Sequence, residues 1–391
     1  MEFVSAQQTA ERLGVTVRAV QKWAKEGKIP GARQMGRSWL IPDHFTGPAE
    51  PAGKTAFSLS SHIPMPLLNA SFEPGGAREY IETITDETDR TVAMAEYDYF
   101  TGRTDSAAKA VEPLLAHPDF NVASSACCIY FLANRAMGKA HLAYYALECS
   151  RALIAETLRK TQDPHTVAVA VYHQVYSAIM LQLPVKPAAP LEQMMRCLPE
   201  GMRMFAAYML AYKAHLEHDD SRSLGIADTA LAFASKPYPV AKSALMLMCT
   251  IDLISLKRVE EARHCFMTAY HKARPDDLIE LFGEHHALLQ GITESCLRHD
   301  YPEDFRRLND ITLLYNQGRR KMNRVNSGQD LAAALTPLEF SIATLINHGW
   351  SIREIAGHLD LSDRMIKHYI SVIYQKLGVT NREELRLYIS Q

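Results

Sequence analysis

Four helix-start signals fall within residues 335–391, and that density constrains this end of the chain more tightly than any other feature. Thr336, Pro337 and Glu339 occupy the N-cap, N1 and N3 positions of a capping box. Ser351 and Glu354 repeat the box. Ser362 caps a third helix that stops at Gly378, and Asn381 with Glu384 starts a fourth. The break between the second and third helices is the short "HLDLS", with apolar Leu359 and Leu361. That pattern predicts a helix-turn-helix. On its second helix Ile366, Ile370, Ile373 and Leu377 form an inward stripe. Arg364, Lys367, His368 and Ser371 gather on the other side, where a major groove would lie.

The first forty residues are patterned just as closely. Ser5 and Gln8 suit a capping box, Ala6, Ala10 and Leu13 make a helical stripe, and Gly14 makes a turn. Thr16 caps a second helix with Val17, Val20 and Trp23 or Ala24 inward. Arg18, Gln21, Lys22 and Lys25 then point outward. After "KIPGA", the stretch "RQMGRSWLIP" reads as a hairpin with Gly36 near its tip. Trp39 is expected to anchor that hairpin, with stacking on a sugar as the alternative.

Residues 43–75 hold five Pro and three Gly and read as a linker. Residues 76–317 are almost wholly helix-period sequence. Gly102 and Gly138 lie 36 apart, as do Ala107 and Ala143, and Ala227 and Ala262 lie 35 apart. Polar turns followed by Ala-rich amphipathic stretches at this period predict stacked helical hairpins. The unit near 160–200 is broken by "LPVKPAAP". Another all-helical bundle is the alternative. Residues 318–334 read as a basic connector. The expected architecture is mainly α: two helices and a hairpin at 1–42, a linker at 43–75, a helical-repeat body at 76–317, the connector, and a four-helix unit at 335–391.

Charge follows that division. The net formal charge is −2, but residues 1–42 carry +4, residues 318–330 carry +3, and residues 43–317 carry −9. Basic ends around an acidic middle suit polyanion contact at the ends. The seven Cys show no C-x-x-C spacing and read as reduced thiols of a cytoplasmic protein. The start of the chain has no signal-peptide pattern. Apolar runs of about ten residues are too short to span a bilayer, so no membrane role is expected.

Enzyme and cofactor signatures fail on spacing. "GPAEPAGKTAF" puts five residues between Gly47 and Gly53, two of them Pro, where a phosphate-binding loop needs four with free N–H groups. His285–His286 and His264/His271 do not have zinc-ligand spacing. No cofactor or metal is expected, and no catalysis. The Met-rich middle suits core packing, with an adaptable ligand lining as the alternative.

Two family resemblances add to this reading. "LTPLE…GWSIREIAGHLDLSDRMIKHYISVIYQKLGVTNREEL" resembles the LuxR-type helix-turn-helix of bacterial transcription factors over residues 335–389. Met365 and Tyr369 depart from that family's usual Thr and His. The resemblance implies base contacts from Lys367, His368 and Ser371 and phosphate contacts from Ser362, Arg364 and Lys376. It also implies double-stranded DNA and RNA polymerase as partners, and a possible homodimer through Leu385, Tyr388 and Ile389, with packing inside the domain as the alternative. Residues 3–42, through "AERLGV", "VRAVQKW" and "GRSWLIP", resemble the MerR/excisionase-type winged helix-turn-helix. That implies groove contacts from Arg18, Gln21 and Lys22, and phosphate or minor-groove contacts from Arg33 and Arg37. Ordinary surface charge is the alternative for these two arginines. The repeat spacing resembles a degenerate tetratricopeptide repeat, implying a surface for an unknown effector or protein. The expected function is a DNA-binding regulator; the rival is a helical-repeat adaptor whose ends bind proteins. Two readers joined by a flexible 33-residue linker, with a span of about 30 Å, would suit a composite site about one DNA turn, ~34 Å, across.

Overall fold

The computed structural model describes residues 3–13, 15–25, 29, 31–35, 38–43, 45, 60–179, 186–323 and 335–389. The N-terminal unit consists of β1 (Phe3–Ser5), α1 (Ala6–Leu13), α2 (Val17–Lys25), β2 (Arg33–Met35) and β3 (Ser38–Pro42). The strands form one antiparallel sheet in the order β1-β3-β2. The expected hairpin is β2–β3, with Gln34 opposite Trp39. β1 is an addition: Val4 pairs with Ile41, which closes the sheet over a small core of Ala6, Ala10, Val20, Ala24 and Ile41. The Ser5–Gln8 box is formed in both directions, at 2.9 and 3.2 Å. Val17, expected inward, is 38 % exposed. It stands at the first position of a nine-residue helix, one turn beyond the reach of so small a core, and Val20 takes the inward place.

The body runs through α3 (Ala77–Thr83), α4 (Glu87–Phe100), α5 (Thr104–Val111), α6 (Phe120–Ala136), α7 (Ala140–Lys160), α8 (Pro164–Ile179), α9 (Leu191–Met194), α10 (Glu200–Leu216), α11 (Asp220–Phe233), α12 (Pro239–Ser255), α13 (Val259–Ala273), α14 (Glu280–His285), α15 (Ile292–Leu297) and α16 (Pro302–Asn323). Four hairpins, α4–α5, α6–α7, α10–α11 and α12–α13, share one turn geometry. Gly102, Gly138, His218 and Lys257 each adopt a left-handed conformation at the reversal. The next residue's N–H reaches the carbonyl five residues back, with lengths of 2.7 to 2.9 Å at Arg103, Lys139, Asp219 and Arg258. This bond closes a helix end that would otherwise leave its carbonyls unpaired. Five residues after each turn stands a fully buried small side chain: Ala107, Ala143, Ser223 and Ala262.

That register corrects one spacing read from sequence. Ala262 corresponds to Ser223, and Ala227 corresponds to Phe266, one helical turn further on; both of the latter are fully buried. The two frames look alike in sequence because positions four apart share a helix face. The expected break in the repeat also occurs. Among the described residues α8 is followed by non-helical residues 186–190 and the one-turn α9, where Pro187 and Pro190 remove helix donors.

Residues 60–75, expected as linker, are packed into the body. Leu67 and Leu68 are buried, and their N–H groups donate to Glu96 Oε2 and Oε1 at 2.7 and 3.1 Å. Met65 N–H donates to Ser125 Oγ at 2.9 Å. Asn69 Oδ1 accepts from Met202 N at 2.8 Å, and Asp276 accepts from Gly75 N and Ala77 N. The segment has no internal periodicity, so its amides are satisfied by side chains up to about two hundred residues away, which local pattern cannot show. Deeper in the body, Arg135 of α6 lies 3.3 Å from Glu284 and stacks 4.7 Å over the Tyr315 ring, while Tyr99 O–H donates to Glu284. These contacts join α4, α6, α14 and α16.

The packing of 60–75 makes a glycine pair informative. A Cβ on Gly201 would lie 2.3 Å from Leu68 O and 2.7 Å from Asn69 Cα, whereas one on Gly225 meets nothing within 4 Å. Gly201→Ala is expected to cost about 1–3 kcal/mol. Gly225→Ala, on the exposed side of α11, is expected to gain up to about 1 kcal/mol. Chemical denaturation of both variants checks this; equal behaviour would contradict the packing.

Candidate nucleic-acid interface

The C-terminal unit is α17 (Pro337–Asn347), α18 (Ile352–Leu359), α19 (Asp363–Leu377) and α20 (Arg382–Ile389). Both expected capping boxes form in full, Thr336 with Glu339 and Ser351 with Glu354. Ser362 Oγ accepts from Met365 N at 3.2 Å, and Asn381 Oδ1 accepts from Glu384 N at 2.9 Å. α18 ends on Asp360 in the left-handed region, and Leu361 N bonds Ala356 O at 2.9 Å. That turn sets α19 across α18.

On α19, Ile366, Ile373 and Leu377 are buried and Ile370 is half-buried. Arg364, Lys367, His368 and Ser371 are all exposed, with Ser362 beside them at the helix start. Met365, the departure from the family pattern, is 44 % exposed, so it adds an apolar group near the same face. Lys376 is placed differently from these. Its Nζ donates to Glu339 Oε2 and Oε1 at 2.6 and 2.8 Å, bracing α19 against α17. Burial opposes ionisation of Glu339, but Lys376 and the Thr336 amide outweigh it and hold the carboxyl below its usual range. An ammonium has three donors, so this strut leaves Lys376 one for any other contact. Leu385 is fully buried inside the domain, where α20 packs on α17. The side chains of Tyr388 and Ile389 lie outside the described residues.

At the other end, Arg18, Gln21, Lys22 and Lys25 are exposed along α2, and Arg33 is exposed where β2 begins. Arg37 lies outside the described residues. Trp39 is half-buried against the small core, as an anchor of the hairpin would be. Arg12, which the sequence reading passed over, ties α1 to the end of the unit: it reaches the Asp43 carboxylate at 2.6 Å and Phe45 O at 2.9 Å. A basic residue in the last turn of α1 was the only local signal for it.

The sequence also gave no sign that the C-terminal unit is seated on the body. Leu359 lies over Gly291, where a Cβ would come within 2.0 Å of Leu359 Cδ2. Arg263 donates to His358 O at 2.7 Å, and Lys257 pairs with Glu354 at 3.0 Å. His358, 2 % exposed, places Nε2 2.9 Å from Gln290 O. These contacts use α18 and leave the outward face of α19 open. Several buried polar atoms around the seat have no hydrogen-bond partner among the described residues, including Trp350 Nε1, His358 Nδ1, Gln290 Oε1 and Thr293 Oγ1. Such atoms weaken an interface.

Residues 333–389 match the family of bacterial regulatory proteins, luxR family, and residues 3–43 match a helix-turn-helix domain family. The C-terminal unit is a LuxR-type helix-turn-helix. A curated relative, the "Probable HTH-type transcriptional regulator GfsR" of Streptomyces halstedii, is 43% identical over 54 residues, which is 14% of this chain and 22% of that protein. The chain therefore aligns with less than a quarter of that relative's length. No solved structure matches. Among the described residues, no helix is long and apolar enough to cross a membrane.

The seat of the LuxR-type domain has a pH signature. Burial pushes the His358 imidazole down to about 4, against an ordinary value of about 6.5. Nε2 faces a carbonyl, so it carries the single proton, and a second proton would sit on Nδ1, which has no partner. The seated state binds fewer protons than the released or unfolded state. The stability it contributes is full above about 6.5 and is lost as pH falls towards 4. Between pH 7 and 5 the wild type should lose about 2 kcal/mol more than His358→Leu. Parallel denaturation of the two proteins at both pH values measures the difference.

Proposed function

We propose that this chain is a sequence-specific DNA-binding transcription regulator that acts by binding rather than by catalysis. One observation carries the reading: α19 buries Ile366 and Ile373 while exposing Arg364, Lys367, His368 and Ser371 together on a capped helix of a LuxR-type domain. In this reading Lys367, His368 and Ser371 contact base edges in the major groove. Ser362 and Arg364 hold phosphates at the helix start, with Lys376 adding a contact only through its remaining donor. The winged unit is a second reader, using Arg18, Gln21 and Lys22 in the groove and Arg33 and Arg37 on the backbone or minor groove.

The body supplies regulation. Its stacked hairpins offer a surface for an effector or protein, and the under-bonded seat around His358 is a joint that such a ligand could bias. RNA polymerase and a second copy of the chain are the further partners of this reading, and the cytoplasm is its place. Residues 60–75 belong to the body, so the stretch left to link the winged unit to that body is shorter than the 33 residues read from sequence. A composite site with two unlike half-motifs at fixed spacing follows from linking two binding modules.

Selection from a random double-stranded DNA pool tests this. The intact chain is compared with chains lacking residues 1–45 or 332–391. Enrichment of a motif that disappears with 332–391 is expected, and a second half-motif that disappears with 1–45. At the selected site Lys367→Ala should cost about 1–3 kcal/mol and relax base preference. Arg364→Ala should weaken selected and random DNA alike and reduce the salt slope by about one. Binding without sequence preference or salt dependence would favour the adaptor instead.

A further inference from the structure

The turn between α10 and α11 brings His215 and Asp220 together, and the stacking of α12 adds Asp252. One ligand atom from each lies within 4.8 Å of the others. His215 Nδ1 is 2.7 Å from Asp220 Oδ1 and 3.2 Å from Asp252 Oδ1. A ring nitrogen carries one proton and is committed to the nearer oxygen. Asp252 is fully buried, and among the described residues neither of its carboxylate oxygens receives a well-directed hydrogen bond. The Ser223 hydroxyl, also fully buried, lies beside Asp252 and, like His215, favours that carboxylate's charged form, though without a well-directed bond among the described residues.

The charges here do not balance. Two carboxylates face one imidazole, and burial raises the Asp252 carboxyl above its usual range, which marks the cost of a second negative charge beside Asp220. A buried carboxylate that shares its one counter-charge with a second acid and has no well-directed donor is costly. The neighbouring cations are engaged elsewhere: Lys213 and Arg222 both turn to Glu217, at 3.9 and 4.0 Å. A cation between the three ligand atoms would remove both defects at once.

We infer that His215 Nδ1, Asp220 and Asp252 form a binding site for a divalent first-row metal ion. One imidazole with two carboxylates is a mixed nitrogen and oxygen donor set, with solvent completing the coordination on the partly open Asp220 side. The site lies beside the LuxR-type domain: Asp220, His215 and His218 all act electrostatically on His348, at the end of α17. An ion would therefore fasten three body helices next to the seat of the reader. The cluster of His62, Asp86 and Asp89 is a built-in comparison. There Asp86 caps α4 through the Asp89 N–H and His62 Nδ1 bonds Asp89, so its acids are already occupied.

Mn²⁺ is the probe, because the seven free thiols favour softer ions. Titration of the full-length chain, followed by the electron paramagnetic resonance of free Mn²⁺, is expected to show one ion taken up per chain. Asp252→Asn and His215→Gln, with folding checked by circular dichroism, should each weaken uptake at least tenfold, and Asp89→Asn should leave it unchanged. Pulsed resonance of the wild-type complex should show one coupled imidazole nitrogen, a readout that needs no variant. Absence of uptake at millimolar Mn²⁺, absence of the nitrogen coupling, or loss of uptake in Asp89→Asn alone would overturn the site.

Discussion

A helical hairpin that reverses within three residues forces its two backbones close together, and the body of this protein is built from that constraint. The left-handed turn residue closes the first helix, and the buried small residue five positions later lets the second helix lie against it. Larger side chains at Ala107, Ala143, Ser223 or Ala262 would separate the helices and tilt every hairpin stacked beyond them. Interiors packed at crystal-like density transmit such shifts rather than absorbing them. The positions of Gln290 and Gly291, and so of the C-terminal reader seated on them, depend on this stack.

Buried polar groups are bonded to different extents in different parts of the molecule. Glu96, Ser125 and Asp276 satisfy the amides of Met65, Leu67, Leu68, Gly75 and Ala77, and Arg135 and Tyr99 meet Glu284 while Tyr315 stacks under Arg135. Those networks hold the body. The seat of the LuxR-type domain is made of fewer bonds, one of them to a backbone carbonyl from His358, and several of its polar atoms lack partners. A junction that is buried yet incompletely bonded is the kind that opens at low cost. The exposed side of α19, with Arg364, Lys367, His368 and Ser371, stays open while the domain is seated, so opening would change its position rather than uncover it.

The candidate DNA contacts were legible because they follow helix periodicity. The buried stripe of α19 places Arg364, Lys367, His368 and Ser371 on the far side, and the caps at Thr336, Ser351, Ser362 and Asn381 were read from single residues and their N3 partners. What periodicity could not supply was the identity of long-range partners. Lys376 looked like its basic neighbours, yet it meets Glu339 on another helix. Val17 looked like part of an inward stripe, yet the core beneath it is too small. Segment 60–75 looked like a linker because its hydrogen-bond partners are distant in the chain.

The sequence by itself determined where helices begin and end, which faces are apolar, and where a LuxR-type reader and a second helix-turn-helix lie. Those properties rest on capping, on the 3.6-residue period and on turn chemistry, all of them local. Tertiary structure alone decided the register of the repeats, the capture of residues 60–75, the seating of α18 on Gly291, and the meeting of His215, Asp220 and Asp252. Each of these depends on which surfaces come together in space. A period that tolerates a shift of one helical turn, and a donor whose acceptor lies two hundred residues away, leave no trace in a local pattern.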